Sequence, residues 1–135
     1  MQTKEQKRSA FALKQVEDSF GIPVEKDAAN FVVGVPTMVL ANGLGQTLAF
    51  LLSKQKKDGK KEKKDHHKMT FNVMQQWLGQ DIPALNVATD FEFLQRVAGL
   101  DQKTYLQAQR EALAMLQWLK RYVRAFEKED KEMKQ

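Results

Sequence analysis

Pro36-Thr37-Met38-Val39-Leu40-Ala41-Asn42-Gly43-Leu44-Gly45-Gln46-Thr47-Leu48-Ala49-Phe50-Leu51-Leu52-Ser53-Lys54 is an apolar run of helical character with a Gly-x-Gly at its middle. A glycine inside a helix costs about 1 kcal/mol relative to alanine. Two of them, one residue apart, therefore imply that something approaches the backbone closely, through tight helix packing or through a helix break at Asn42-Gly43. A phosphate cradle is the competing reading, and the surroundings argue against it, because no strand precedes the glycines and no Lys-Ser/Thr follows them. Being apolar nearly all round, the run is expected to form one helix from Pro36 to about Lys54, as the central and most buried element.

On the N-terminal side, Leu13, Val16 and Phe20 recur at three- and four-residue spacing and predict a first helix over 3–20, stopped by Gly21 and Pro23. Phe11 lies nearly opposite that stripe, with Lys4, Lys7 and Arg8. An aromatic among cations can stack a base or plug into a neighbour, but the simpler expectation is burial by another helix. A short second helix is expected from Glu25 to Val33, burying Ala28, Ala29, Phe31 and Val32. Gly34 would end it, and Pro36 would open the next helix, where its missing N–H is not needed.

Residues 54–68 contain no apolar side chain and hold eight lysines against Asp58, Glu62 and Asp65. Such a segment cannot offset its ordering entropy by burial, so 55–67 reads as a flexible basic loop containing His66-His67. Two adjacent histidines in a cationic loop fall short of the ligand count and rigidity of a metal site, and no metal is expected. Beyond the loop, Met69 to Leu78 predict a helix with Phe71, Met74, Trp77 and Leu78 inward, closed by Gly79. Asp81-Ile82-Pro83 is a turn, and Thr89 with Glu92 caps a short helix ending near Gly99. Asp101 and Thr104 start a long helix running to at least Phe126, with a fraying tail from Glu127 onwards. Tyr105, Ala112, Leu116, Leu119, Val123 and Phe126 line one face of it; Arg110, Gln117, Arg121, Arg124 and Lys128 line the other. The expected architecture is all-α, a compact bundle of about five to seven helices in a single domain over 1–135, with one disordered lysine-rich loop.

The net charge of +5 resides formally in residues 54–68, and the remainder of the chain is neutral but polarised. Residues 103–126 carry Lys103, Arg110, Lys120, Arg121 and Arg124 against Glu111 alone, whereas 69–102 carry Arg96 against four acids. That pattern suits a positive face meeting phosphate or a negative face meeting a positive neighbour. Catalysis has little to work with: there is no cysteine, the only histidines are His66 and His67, and no serine lies in a nucleophile elbow. Asp90 and Glu92 are placed as dipole partners at a helix start. A non-enzymatic binding protein without cofactors is expected. With neither a cysteine nor an uninterrupted apolar run of 18 residues, a soluble, unprocessed, cytoplasmic chain without membrane association is expected.

The sequence Asn42-Gly43-Leu44-Gly45-Gln46, followed by Leu48-Ala49-Phe50 and Leu52-Ser53-Lys54, resembles the hallmark of the small helical subunit of the Cmr complex, the type III-B CRISPR RNA-guided effector. The opening Gln2-Thr3-Lys4-Glu5-Gln6-Lys7-Arg8 and the late Glu111-Ala112-Leu113 leading to Trp118-Leu119-Lys120-Arg121 agree with it, so the resemblance spans almost the whole chain. Lys54 to Lys68 have no counterpart motif. What the resemblance implies is a noncatalytic subunit in antiviral defence that binds other Cmr subunits, stacks with further copies of itself, and lines the channel holding the guide RNA–target RNA duplex. Sequence choice would then lie in base pairing, with the protein reading the phosphate backbone and A-form shape. Arg110, Arg121 and Arg124, with Lys14 and Lys54, are the residues expected to touch phosphate. The alternative is a protein-only helical adaptor with no direct RNA contact.

Overall fold

The computed structural model describes residues 1–55 and 65–129, and most of the expected loop at 55–67 lies outside them. Among the described residues six α-helices follow in order: α1 (Lys4–Gln15), α2 (Lys26–Asn42), α3 (Leu44–Ser53), α4 (His66–Asp81), α5 (Asp90–Gly99) and α6 (Gln102–Ala125). A π-helical turn, Val16–Phe20, extends α1, and a 3₁₀ turn, Pro83–Leu85, links α4 to α5. Among the described residues there is no strand, and the fold is the expected all-α bundle.

Helix starts follow local chemistry. Thr3 and Gln6 form a reciprocal capping box at α1, with Thr3 Oγ1 accepting from the Gln6 N–H at 3.1 Å and Gln6 Oε1 accepting from the Thr3 N–H at 2.8 Å. Thr89 and Asp101 cap α5 and α6 by accepting the N–H groups of Glu92 and Thr104. The first helix stops as expected at Gly21, whose φ of 84° ends the turn. The exit of α6 does not fray at Glu127, because Val24 donates to the Phe126 carbonyl and accepts from the Lys128 N–H at 2.8 and 2.7 Å.

Around the hallmark, the expected boundaries are wrong at both ends. Glu25–Val33 and the Pro36 helix are one helix, α2, with Gly34 and Pro36 inside it. Proline inside a helix costs about 3 kcal/mol. Ala28, Ala29, Val32, Val35, Pro36 and Val39 nevertheless form one uninterrupted buried stripe, and each buried valine contributes about 1.5–3 kcal/mol, which outweighs the local penalty. The helix breaks instead at Gly43, where φ of 87° and ψ of 164° lie in a region essentially reserved for glycine. Here α3 begins, and side chains of α6 complete its N-terminus: Gln109 Oε1 accepts from the Leu44 N–H and the Tyr105 hydroxyl from the Gly45 N–H, both at 2.9 Å.

The hallmark run is not the most enclosed element, since Leu40 and Phe50 face outward. The helix at the centre is α6, which packs against α1, α2, α3 and α4 and buries Ala108, Ala112, Met115, Leu116, Leu119 and Val123. At 24 residues it is about 36 Å long, long enough to touch all four along its length. His66 and His67 do not lie in a loop. They form the first turn of α4 behind the Asp65 cap, and their rings sit 4.9 and 4.4 Å from the ring of Phe31. Gly79 does not close α4 either; a Cβ there would lie 3.3 Å from the Leu85 carbonyl oxygen, so glycine admits the chain crossing above it.

The two hallmark glycines are expected to respond differently to substitution. Gly43→Ala should lower stability by about 1–3 kcal/mol through backbone strain. Gly45→Ala should be nearly neutral, because its Cβ would meet the Tyr105 hydroxyl at an ordinary 3.4 Å, while Gly45→Leu displaces Tyr105 and should cost about 1–3 kcal/mol. Urea denaturation of the three variants checks this order.

Candidate nucleic-acid interface

With 3.6 residues per turn, Arg110, Arg121 and Arg124 fall within an arc of about 60° on α6, and Arg110 and Arg121 stand about 16 Å apart along its axis. This arc is directly opposite the buried residues Ala108, Met115 and Leu119. Arg110, Gln117 and Arg121 are exposed, and neither Arg110 nor Arg121 pairs with any described residue. Arg124 is different: it donates to Asn30 Oδ1 at 2.9 Å and to the Glu127 carboxylate at 3.1 Å, tying α6 to α2. The expected stripe is therefore present as a face, with two arginines available and a third engaged.

Lys14 and Lys54 do not join it. Lys14 lies on α1 in an exposed ion pair with Asp18 at 3.3 Å and lines a shallow groove between α1 and α4 with Lys4, Lys7 and Phe11. Lys54 follows the end of α3, its ammonium 5.8 Å from the centre of the Phe50 ring. Phe11 is half-buried against Trp77, with ring centroids 4.9 Å apart, so its expected burial by another helix is what the fold provides. Among the described residues, no three His, Cys, Asp or Glu side chains are grouped to hold a metal, and no helix is long and apolar enough to cross a membrane.

The inward face of α6 carries the one acid of 103–126. Glu111 is only 7% exposed, and Arg8 of α1 grips it with two parallel bonds, Nε to Oε1 at 2.7 Å and a terminal nitrogen to Oε2 at 2.8 Å. Trp77 of α4 donates its indole N–H to the same Oε1 at 3.0 Å. Glu5 accepts from the other terminal nitrogen of Arg8 at 2.6 Å and from the Trp118 indole N–H at 3.2 Å, while Lys4 pairs with Asp81 and stands 4.0 Å from Glu111. Burial alone would raise the Glu111 pKa; the bonds from Arg8 and Trp77 and the nearby cations overcome it and hold the carboxyl below its ordinary value. The hydrogen bonds to Glu111 and then Glu5 push the Arg8 guanidinium further up against the opposing effect of burial.

Sequence reasoning did not assign this cluster. Arg8 read as a surface cation beside Phe11 and Glu111 as the lone acid of a basic helix. The signal lay in register, since Glu111 shares the apolar face with Ala108, Met115 and Leu119 at spacings of three, four and eight. A charged residue at such a position needs a partner.

The profile of a family described as CRISPR-associated protein (Cas_Cmr5) matches residues 4–126. The fold is similar to the X-ray crystal structure of a CRISPR-associated Cmr5 family protein from Thermus thermophilus, with a TM-score of 0.68 and 24% sequence identity over 93% of this chain and 98% of that one. The matched span contains Arg8, Gly43, Trp77 and Glu111 as well as the outer face of α6.

Removing the Glu111 charge should leave Arg8 half-paired. Glu111→Gln is expected to destabilise the fold by about 3 kcal/mol, near the lower end for breaking a buried pair because Arg8 keeps Glu5. Since the folded-state pKa of Glu111 is lowered from 4.5, its contribution is fully present above about that pH and is lost as pH falls through the folded value. The difference between the urea midpoints of wild type and variant should therefore narrow as the pH is lowered from 7 to 3.

Proposed function

This chain belongs to the CRISPR-associated Cmr5 family, the small subunits of the type III-B Cmr complex, and we propose that within that complex it supports guide RNA–target RNA binding through phosphate contacts from the outer face of α6. In this reading it is a noncatalytic, cytoplasmic component of antiviral defence that stacks with further copies of itself along the complex. The observation that carries it is the pair Arg110 and Arg121, on one face of the longest helix, without an acid on that face between them. Guanidinium groups suit phosphate because they present several donors in a planar fork and stay charged at any physiological pH. Each neutralised phosphate releases condensed counterions, so such a face adds affinity without choosing sequence. Base pairing would supply the choice. Lys14 and Lys54 stand on other faces, and a role for them requires RNA or a second strand to pass there too.

The test uses the double variant Arg110→Gln/Arg121→Gln in the assembled complex. Both side chains are exposed and pair with no described residue, so stability should stay within about 0.5 kcal/mol of wild type. Target-RNA affinity should fall, and its dependence on log salt should flatten by roughly 0.7–0.9 per lost phosphate contact. Equal affinity and equal slope would remove this face from the RNA site. A complex that no longer incorporates the variant would make the face a protein interface and favour the adaptor reading.

A further inference from the structure

We propose that Gln107 and Gln117 read the ribose 2′-hydroxyls of the bound duplex, so that the outer face of α6 selects RNA over DNA as well as holding phosphate. The inference rests on the phosphate-contact reading above and adds to it the residues that stand between the cations.

Lys103, Gln107, Arg110, Ala114, Gln117 and Arg121 follow one another along α6 at spacings of four, three, four, three and four. With 3.6 residues per turn they fall within an arc of about 80° and span about 27 Å of the helix. Ala114 is half-buried and the other five are exposed. One amide therefore stands between Lys103 and Arg110, another between Arg110 and Arg121, and the row holds no carboxylate. The nearest acid before it, Asp101, faces away from the row and is engaged in the cap on Thr104. Neither Gln107 nor Gln117 hydrogen-bonds to a described residue. Gln109, on the flank of the same helix, is by contrast committed to the Leu44 N–H.

A row that met phosphate alone would be best filled with cations, because an uncharged amide displaces no counterion. A hydroxyl is a different target. It donates and accepts at one oxygen, and a carboxamide, with an acceptor oxygen and two N–H donors, matches it in both directions. An A-form duplex presents both kinds of group to one side. Its wide, shallow minor groove displays 2′-hydroxyls between the phosphate rims, whereas its major groove is too deep and narrow for side chains to read. A helix laid across the minor groove meets phosphate with its cations and hydroxyls with the amides between them. Ala114 keeps the middle of the row low, which brings the helix close to a shallow groove. DNA offers the phosphates and lacks the hydroxyls, so the amides supply a preference that the arginines cannot.

The double variant Gln107→Met/Gln117→Met removes both amides while keeping side-chain length and helix propensity. Wild-type and variant chains are assembled into the Cmr complex, and affinity is measured for a target RNA and for the same strand carrying 2′-fluoro in place of every 2′-hydroxyl. Fluorine keeps the A-form sugar pucker and cannot donate. A second arm places the fluoro sugars in the guide strand instead. The penalty for fluorine in at least one strand is expected to be roughly two- to tenfold larger in the wild-type complex than in the variant. The dependence on log salt should be the same for both, since no phosphate contact is lost. Equal penalties in both arms overturn the hydroxyl reading. In that case the phosphate face survives where Arg110→Gln/Arg121→Gln still flattens the salt slope, and falls with it where the slope is unchanged. A flatter slope from the methionine variant assigns the amides to phosphate and overturns the proposal. Failure of that variant to enter the complex makes the row a protein interface and overturns it too.

Discussion

The bidentate grip of Arg8 on the buried Glu111 carboxylate is the constraint on which the bundle depends. A carboxylate taken out of water needs donors that replace its hydration, and here they come from α1 and α4 as well as α6. Meeting that need sets how α1 and α4 lie against α6, in rotation as well as distance, because a fork of two bonds at 2.7 and 2.8 Å admits one orientation. It also determines the surface. With the only acid of residues 103–126 committed to the interior, the outward face of α6 carries cations with no carboxylate among them.

The Gly-x-Gly hallmark serves the same helix from another side. Gly43 turns the chain sharply out of α2, and Tyr105 and Gln109 of α6 then accept the first N–H groups of α3. Those groups are the ones a phosphate would use at a helix N-terminus. Their engagement by α6 side chains makes the hallmark a structural joint between three helices and leaves ligand chemistry to other surfaces.

Charge is distributed so that the two ends of the fold differ. The segment preceding α6 is acidic in sequence and presents Phe91 to solvent, whereas the outer surface of α6 is basic. Electrostatic asymmetry of this kind steers and orients association more than it strengthens it.

The all-α class, the long last helix with its cap at Asp101 and the α5 cap at Thr89 were legible in the sequence, because they follow from 3.6-residue periodicity and from side chains bonding their own neighbouring N–H groups. The family resemblance was legible for the same reason, being carried by contiguous residues. Other features depended on contacts between residues far apart in the chain. Pro36 sits inside a helix because a continuous valine stripe buries on both sides of it, an energy that local propensity does not contain. His66 and His67 begin α4 against Phe31, and Gly79 stays helical beneath the Leu85 carbonyl. Arg8 and Glu111, 103 positions apart, look like surface charges one at a time. Only the tertiary structure decided which charges were interior and which remained on the surface, since desolvation acts on a side chain through whatever the fold packs around it.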